Sequence, residues 1–444
     1  MKQKVLRILS ALLVFAMAFS CVSCSGGNKE PQPSVNSSSS SDTAPASSQE
    51  NAGNEEEDAK LLVWVPNMGE EIFTKAYNEN IQNFMKDHPG MSYDIVFIPW
   101  GEFFTKINAS FAGGTGPDVF GVGYGQLGTL QYNGNLLALD DYIDSDWSGW
   151  KDIRPRILEL GQKDGKTYGF LFPNTRLLLY RKDIAEQQGV PEEEIKFDTT
   201  EELIELSRRM TVKENGKTII GGLGLATTGA QTVESRLFMF SLFQGPTTLW
   251  NDDYTASFSS PQYVQAMETM KMMVDEGTVL LDDPGGDTQF TNGLCAMVFD
   301  QTTTMEMAEQ SFPGQIGMAT PGPGTLLIGE FMACNADSKY PKQSAELLAY
   351  LFGEDAQKLF NKVAGYIPSR QSLEEWYIEN EPRGNGATVM ASFENAYPYN
   401  SGMNYKFLDM VNLLRPAIES VFYSDADAKQ ALEECAEQYN ALLK

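Results

Sequence analysis

The chain has 444 residues, 42% of them hydrophobic and 11% aromatic, enough for large buried cores and roughly two or three domains. Against 33 Lys and Arg stand 60 Asp and Glu, a net charge of −27. Such an acidic balance excludes nucleic acid as the natural partner, because phosphate binding needs a basic footprint, and it excludes adhesion to anionic lipid headgroups.

The first residues read as a targeting segment. Lys2, Lys4 and Arg7 form a basic start, and Leu6 to Phe19 form an apolar run too short to span a bilayer comfortably, so residues 1–23 fit a removable signal peptide. The string Ser20-Cys21-Val22-Ser23-Cys24-Ser25-Gly26-Gly27 is similar to a bacterial lipobox, in which a small residue precedes a cysteine that is lipidated and becomes the new N-terminus. Cys24 follows Val22 and Ser23, a better fit than Cys21 after Phe19 and Ser20. Neither has Leu at the third place upstream, so both stay open, with a plain secretory signal as the alternative. Removing residues 1–23 makes the charge more negative still, so a lipid would have to hold the protein at the membrane. Residues 24–58 are Ser, Pro, Asn and Glu with almost nothing apolar, and read as a disordered tether.

Residues 61–65, LLVWV, read as a buried strand with Trp64 in the core, followed by the polar turn Pro66-Asn67-Met68-Gly69-Glu70. Ile72, Phe73, Ala76, Tyr77, Ile81 and Phe84 recur at helical spacing, and His88-Pro89-Gly90 is a stop. YDIVFI, 93–98, is the next strand, and a helix with Phe103, Phe104, Ile107 and Phe111 on one face follows Trp100. The third strand, Val119 to Val122, ends in a Gly-flanked Tyr124 near Gln126. Strand, helix, strand, helix, strand predicts an α/β lobe with a parallel sheet. Ligands of such sheets sit beyond the carboxyl ends of the strands, where Asn67, Glu70, Trp100, Tyr124 and Gln126 lie.

The segment GKTYGFLFPNTRLLLYRKD, 165–183, carries two apolar runs, Tyr168 to Phe172 and Leu177 to Tyr180, around Pro173, Asn174, Thr175 and Arg176. It reads as one continuous strand passing from one domain into another, with its polar centre facing the cleft. An ordinary buried strand with a Pro at its edge is the other reading. Arg176 would contact ligand or form a structural ion pair with a nearby acid. Further on, Thr199 to Glu202 predicts a capping box, Gly221 to Leu225 a strand near a close backbone approach, 233–243 a helix, Ser260-Pro261 a helix start, and 294–299 a strand ending in Asp300 and Gln301. A second crossover spans Leu326 to Asn335 and contains Gly329-Glu330-Phe331. The remainder is mostly helical, with an aromatic stretch from Tyr397 through Tyr399 to Tyr405.

Enzyme chemistry finds little support. The one histidine, His88, sits in a turn, so a Ser–His–Asp or Cys–His site is poorly served. DGKT at 164 and NGKT at 215 lack the first Walker glycine, which would fall at Leu160 and Thr211. Asp144 opens a calcium-like loop whose twelfth position is Pro155 rather than Glu. Cys295, Cys334 and Cys435 form no metal spacing; Cys295 reads as a buried apolar residue, and a Cys295–Cys334 disulfide stays open. No metal or cofactor is expected. A surface glycoside hydrolase, which needs two placed carboxylates, and a non-transport surface-binding lipoprotein are the alternatives to a binding protein.

The ordered succession of lipobox, Ser-rich tether, LLVWV, IPWGEFFTKINASFAGGTGPDVF, LLALDDYI, the 165–183 crossover, GLCAMVF and the Ala-rich helix after NADSKYPKQSAE resembles the extracellular sugar-binding lipoproteins of bacterial ABC importers, maltose-binding-protein-like, from about residue 60 to 444. The resemblance implies a type II, two-lobed α/β fold, each lobe a mostly parallel sheet flanked by helices. The lobes would be 59–173 with 331–368 and 174–330 with 369–444, joined by crossovers near 173 and 330. It implies a monomer on the outer face of a Gram-positive-type cytoplasmic membrane that binds a carbohydrate and delivers it to permease subunits. It also implies ligand contacts at Asn67, Glu70, Trp100, Tyr124, Gln126, Asn174, Arg176, Asp300, Gln301, Glu330, Tyr399 and Tyr405. Gly329-Glu330 replaces the family's Gly-Gly, and a Thr run replaces its tryptophan after GLCAMVF. The residue types suit sugars, whose C–H faces stack on rings and whose hydroxyls pair with amides, carboxylates and guanidinium.

Overall fold

The computed structural model describes residues 59–67, 71–225, 233–281, 286–400 and 403–444. The signal segment, Cys21, Cys24, the tether and Glu70 lie outside the described residues.

Strand β1 (Ala59–Asn67) places Leu61, Val63 and Val65 in the core by simple alternation, while Trp64 on its other face is half-buried against that core. β2 (Met91–Pro99) pairs with it in parallel along its whole length, and β3 (Val119–Gly123) pairs in parallel on the other side. Helices α1 (Glu71–Lys86) and α2 (Trp100–Ala112) connect them. Their predicted apolar faces are the ones buried: Phe73, Ala76, Tyr77, Ile81 and Phe84 on α1, Phe103 and Ile107 on α2. His88 closes α1, its ring stacked on Phe84 and its Nδ1 2.8 Å from the Phe84 carbonyl. Asp118 pins the entry to β3 by accepting from the Leu62 N–H and the Ser338 hydroxyl.

After the short helix α3 (Leu127–Tyr132), the crossover consists of β4 (Phe170–Thr175) and β5 (Leu177–Arg181), separated only by Arg176. β4 belongs to the first sheet. β5 is the middle strand of a second, three-stranded sheet, between β6 (Met297–Asp300) and β7 (Ile316–Ala319). The chain therefore changes sheets over one residue. The Arg176 carbonyl, which has no ladder partner there, accepts from the hydroxyls of Thr325 and Ser392. The chain returns through β8 (Thr325–Cys334), antiparallel to both β3 and β4, and β9 (Ala396–Tyr397) runs parallel to its first residues.

Helices α4 (Thr200–Met210), α5 (Val233–Leu242), α6 (Pro261–Asp275), α7 (Thr302–Ser311), α8 (Pro341–Leu351), α9 (Glu354–Ala364), α10 (Gly386–Glu394), α11 (Phe407–Ser424) and α12 (Ala428–Ala441) cover these sheets. Thr199 caps α4 as its sequence predicts. Two apolar clusters result, and β5 divides itself between them: Leu177 and Leu179 join the first, Leu178 and Tyr180 the second. Tyr377, Val389 and Phe393 also belong to the first cluster.

Two expectations are corrected. The second sheet is not mostly parallel, since both of its pairings are antiparallel. The expected strand at Gly221 to Leu225 is present only as two isolated parallel bridges, Gly221 to Cys295 just before β6 and Gly224 to Val298 within it. The segment does make a close backbone approach: a Cβ at Gly222 would stand 1.8 Å from the Ser207 carbonyl oxygen of α4. The Cys295–Cys334 disulfide is also absent; both are buried free thiols, as is Cys435.

Candidate ligand-binding site

A cavity of about 550 Å³ opens between the two sheets where β4 and β8 cross, within the size range of small-molecule sites. One part of its wall is aromatic. Trp100, the first residue of α2, tilts against Phe104 at 5.8 Å, and Tyr366 approaches Phe73 edge-on at 5.7 Å. Tyr124, just past β3, meets Tyr399 edge-on at 5.8 Å and donates its hydroxyl to the Asn400 carbonyl at 2.8 Å.

The other part is polar and starts at the crossover. Arg176 donates from Nη1 to Asp300 Oδ1 at 2.6 Å, and Arg236 of α5 donates from Nη2 to Asp300 Oδ2 at 3.1 Å. The same carboxylate accepts the backbone N–H of Gln301. Asn174 reaches the Gln301 side-chain oxygen at 2.8 Å, so the two crossover neighbours interlock. Thr302, Thr303 and Thr304, the run standing in the place of a tryptophan, line the cavity from the start of α7. Gln126 is 2% exposed and lines the cavity, yet neither end of its amide has a protein partner. The Tyr399 hydroxyl and Arg176 Nε are likewise buried and unpartnered. Native interiors rarely leave such groups unsatisfied unless something else binds them.

Glu330 projects from the middle of β8. Gly121 makes room for it, since a Cβ there would lie 2.0 Å from Glu330 Oε1. The cavity leaves Glu330 partly accessible, but the surrounding protein removes it from bulk water, and the second effect governs its proton. Burial pushes its carboxyl up to about 8, against the Tyr77 hydroxyl, which donates to it at 3.2 Å and pulls the other way. Burial likewise raises Glu234, on α5, to about 7, opposed by the positive charges of Arg415, Arg176 and Arg236. Among the described residues no cluster of His, Cys, Asp and Glu is arranged to hold a metal ion.

Nine of the sequence-selected residues thus meet in one cavity: Trp100, Tyr124, Gln126, Asn174, Arg176, Asp300, Gln301, Glu330 and Tyr399. Tyr405 lies elsewhere, stacked on Tyr132 at 4.4 Å. Asn67 ends β1, and its side chain, like Glu70, is outside the described residues. The sequence reading passed over Glu234, Tyr366, Phe407 and Arg415. Two of these carried a signal: Glu234 is an acid in an apolar helix, and Arg415 directly precedes a proline inside α11.

The sequence profile of a protein family described as bacterial extracellular solute-binding protein matches residues 79–382. The chain belongs to that family. Among curated relatives, a binding protein of Brucella abortus (strain 2308) is 22% identical over 397 residues, which cover 84% of this chain and 90% of that one. Among solved structures, an ABC transporter solute-binding protein from Thermotoga lettingae, bound with alpha-D-tagatose, superposes with a TM-score of 0.75. It is 20% identical, covering 87% of this chain and 100% of that one. An ABC substrate-binding protein from Listeria monocytogenes in complex with cycloalternan gives a TM-score of 0.75 at 19% identity, covering 87% and 99%. The fold of this solute-binding protein is accordingly the two-lobed type II arrangement, and the cavity is lined by residues of both sheets.

Two outcomes follow from this geometry. Arg176→Ala leaves the buried Asp300 with only Arg236. Breaking a buried pair costs about 3–5 kcal/mol, and the surviving partner places the loss at the lower end, ~3 kcal/mol, read from urea unfolding of the ligand-free protein. An unchanged midpoint would show that Asp300 does not depend on Arg176. Glu330 holds its proton in the folded state up to about 8 but only to about 4.5 when unfolded. Its contribution to stability is therefore complete below about 4.5 and lost as pH rises to about 8. Glu330→Gln, which stays neutral, should gain melting temperature relative to wild type as pH rises from 5 to 8, and a pH-independent difference would refute this assignment.

Proposed function

We propose that this solute-binding protein captures a carbohydrate between its two lobes and hands it, unaltered, to the permease of an ABC importer. The observation that carries this reading is the cavity itself: ring faces on one part of the wall, and on the other a buried Gln126 amide without a protein partner. Rings suit the C–H faces of a sugar, and unpaired planar donors suit its hydroxyls. The Thermotoga and Listeria proteins of the same fold are bound with alpha-D-tagatose and in complex with cycloalternan respectively. The lobes are proposed as residues 59–173 with 331–368 and 174–330 with 369–444, joined by the crossovers near 173 and 330, with Tyr377, Val389 and Phe393 of the second packing into the first core. Asn67, Glu70 and the nine cavity residues are the proposed contacts, working as a monomer without metal or cofactor.

The decisive experiment is a thermal-shift screen of mono-, di- and oligosaccharides, followed by calorimetry and chromatography of the sugar after incubation. A ligand that binds only the folded state raises its melting temperature by mass action. The expected result is one class of sugar that stabilises the protein, binds one per chain and is recovered intact. Conversion of excess sugar to product would replace binding by glycoside hydrolysis.

The proposed address is the outer face of the cytoplasmic membrane of a Gram-positive-type cell, through acyl chains on Cys24 or Cys21. Among the described residues no helix is long and apolar enough to cross a membrane; in the proposed attachment two acyl chains give a stable anchor where one does not. Cys24→Ser should release the protein from the membrane fraction of expressing cells. Full retention would assign the anchor to Cys21 or to an uncleaved segment.

A further inference from the structure

Two guanidiniums, those of Arg176 and Arg415, line the cavity together with the carboxyls of Asp300, Glu234 and Glu330, in a chain that as a whole is at −27. Three guanidiniums, those of Arg415 and Arg176 in the cavity wall and that of Arg236 behind it, act together on the single Glu234 carboxyl, which groups them around that residue. Asp300 serves two of them at once, at 2.6 Å and 3.1 Å. Arg415, which lines the cavity from α11, forms no ion pair with a carboxylate of the described residues, and its buried Nε has no partner. We propose that the ligand is an acidic carbohydrate, a sugar bearing a carboxylate or a sulfate ester, with that oxyanion held by Arg176 and Arg415.

This rests on the sugar-binding reading above and names the class of sugar. The three acids in the cavity do not contradict it. Asp300 is already held by two cations. Burial keeps the Glu330 carboxyl protonated to about 8, and that of Glu234 to about 7, so neither presents a full negative charge at neutral pH. Guanidinium does not lose its proton in proteins. The cations are thus permanent while two of the acids are conditional. An oxyanion arriving there strengthens the balance by holding Glu234 neutral. Rings and cations share the wall: Trp100 and Tyr366 line the cavity, and Tyr399 stands within electrostatic reach of Arg176 and Glu234, so a sugar face and its acidic substituent can be met by the same volume. A fork of parallel N–H donors is the natural receptor for a planar carboxylate and also takes a sulfate.

The test is calorimetry of the mature domain with three sets of probes: glucuronate and galacturonate with their oligomers, sulfated disaccharides, and the neutral parents glucose and galactose with their oligomers. The expected result is an acidic probe that binds about tenfold or more tightly than its neutral parent, since charge-assisted bonds are roughly twice as strong as neutral ones. Its affinity should fall from low to high salt. Arg415→Gln should lose about tenfold for the acidic probe and little for the neutral parent, and Arg415→Lys should recover part of the loss. The uronate and sulfate arms separate the two sources of the oxyanion. A neutral sugar bound at least as tightly as its acidic counterpart, indifferent to salt and to Arg415→Gln, overturns the proposal and leaves sugar binding standing. If no probe of any set binds, both readings fall. Because Arg415 itself is only partly buried, its variants should fold, and an unchanged melting temperature without ligand verifies that.

Discussion

Asp300 has to satisfy two buried arginines at the point where the chain changes sheets. Arg176 and Arg236 are both almost fully buried, and neither guanidinium can shed its charge. One carboxylate at the end of β6, with each oxygen given to a different arginine, is what allows them to sit there. The same group accepts the N–H of Gln301, the residue that starts α7. A single anion thus joins the crossover residue, the edge of the second sheet, α5 and the first turn of α7. Ionic groups of this kind add little net stability over a well-packed apolar core, because their desolvation offsets their attraction. What they specify is geometry: the polar floor of the cavity is built from the same atoms that hold the sheets in register.

The cavity follows from that arrangement. The first sheet brings Trp100, Tyr124 and Tyr366 to one side because α2, the end of β3 and the turn after α9 all reach the same edge. β8, antiparallel to both β3 and β4, crosses beneath, and the bare backbone of Gly121 lets the Glu330 carboxyl lie across it. In most sheets this position would be filled by a side chain from the neighbouring strand. Here the space is used to bury an acid, and the cost of burying its charge is what keeps its proton on. Rings, a neutral acid, an unpartnered amide and fixed cations are therefore presented to one volume, each by a different element.

Local pattern alone fixed much of this protein. Alternation in 61–65 and the helical spacing of Phe73, Ala76, Tyr77, Ile81 and Phe84 are imposed by backbone geometry over a few residues, so β1 and α1 were readable without knowing their neighbours. The crossover at 165–183 was readable because two apolar runs around a polar centre leave no room for a loop, and the ordered succession of segments pointed to the family. Arg176 was visible as a charge flanked by apolar runs, which can only be paired or aimed into a cleft. The structure does both with it.

Tertiary structure decided what no local pattern encodes, namely which distant groups share a volume and how their charges add. Tyr399 and Tyr405, a few residues apart in one aromatic stretch, end in different places: one in the cavity wall, the other stacked on Tyr132. Glu234 and Arg415 come from helices far apart in sequence and meet at the same cavity only because both helices pack around the second core. Antiparallel pairing of the second sheet is likewise a property of strands brought together from 177, 297 and 316, not of any one of them. Secondary structure is set by neighbours along the chain. The sign of the cavity's charge and the protons on its acids are set by neighbours across it, through burial and Coulomb interactions that depend on separation in space.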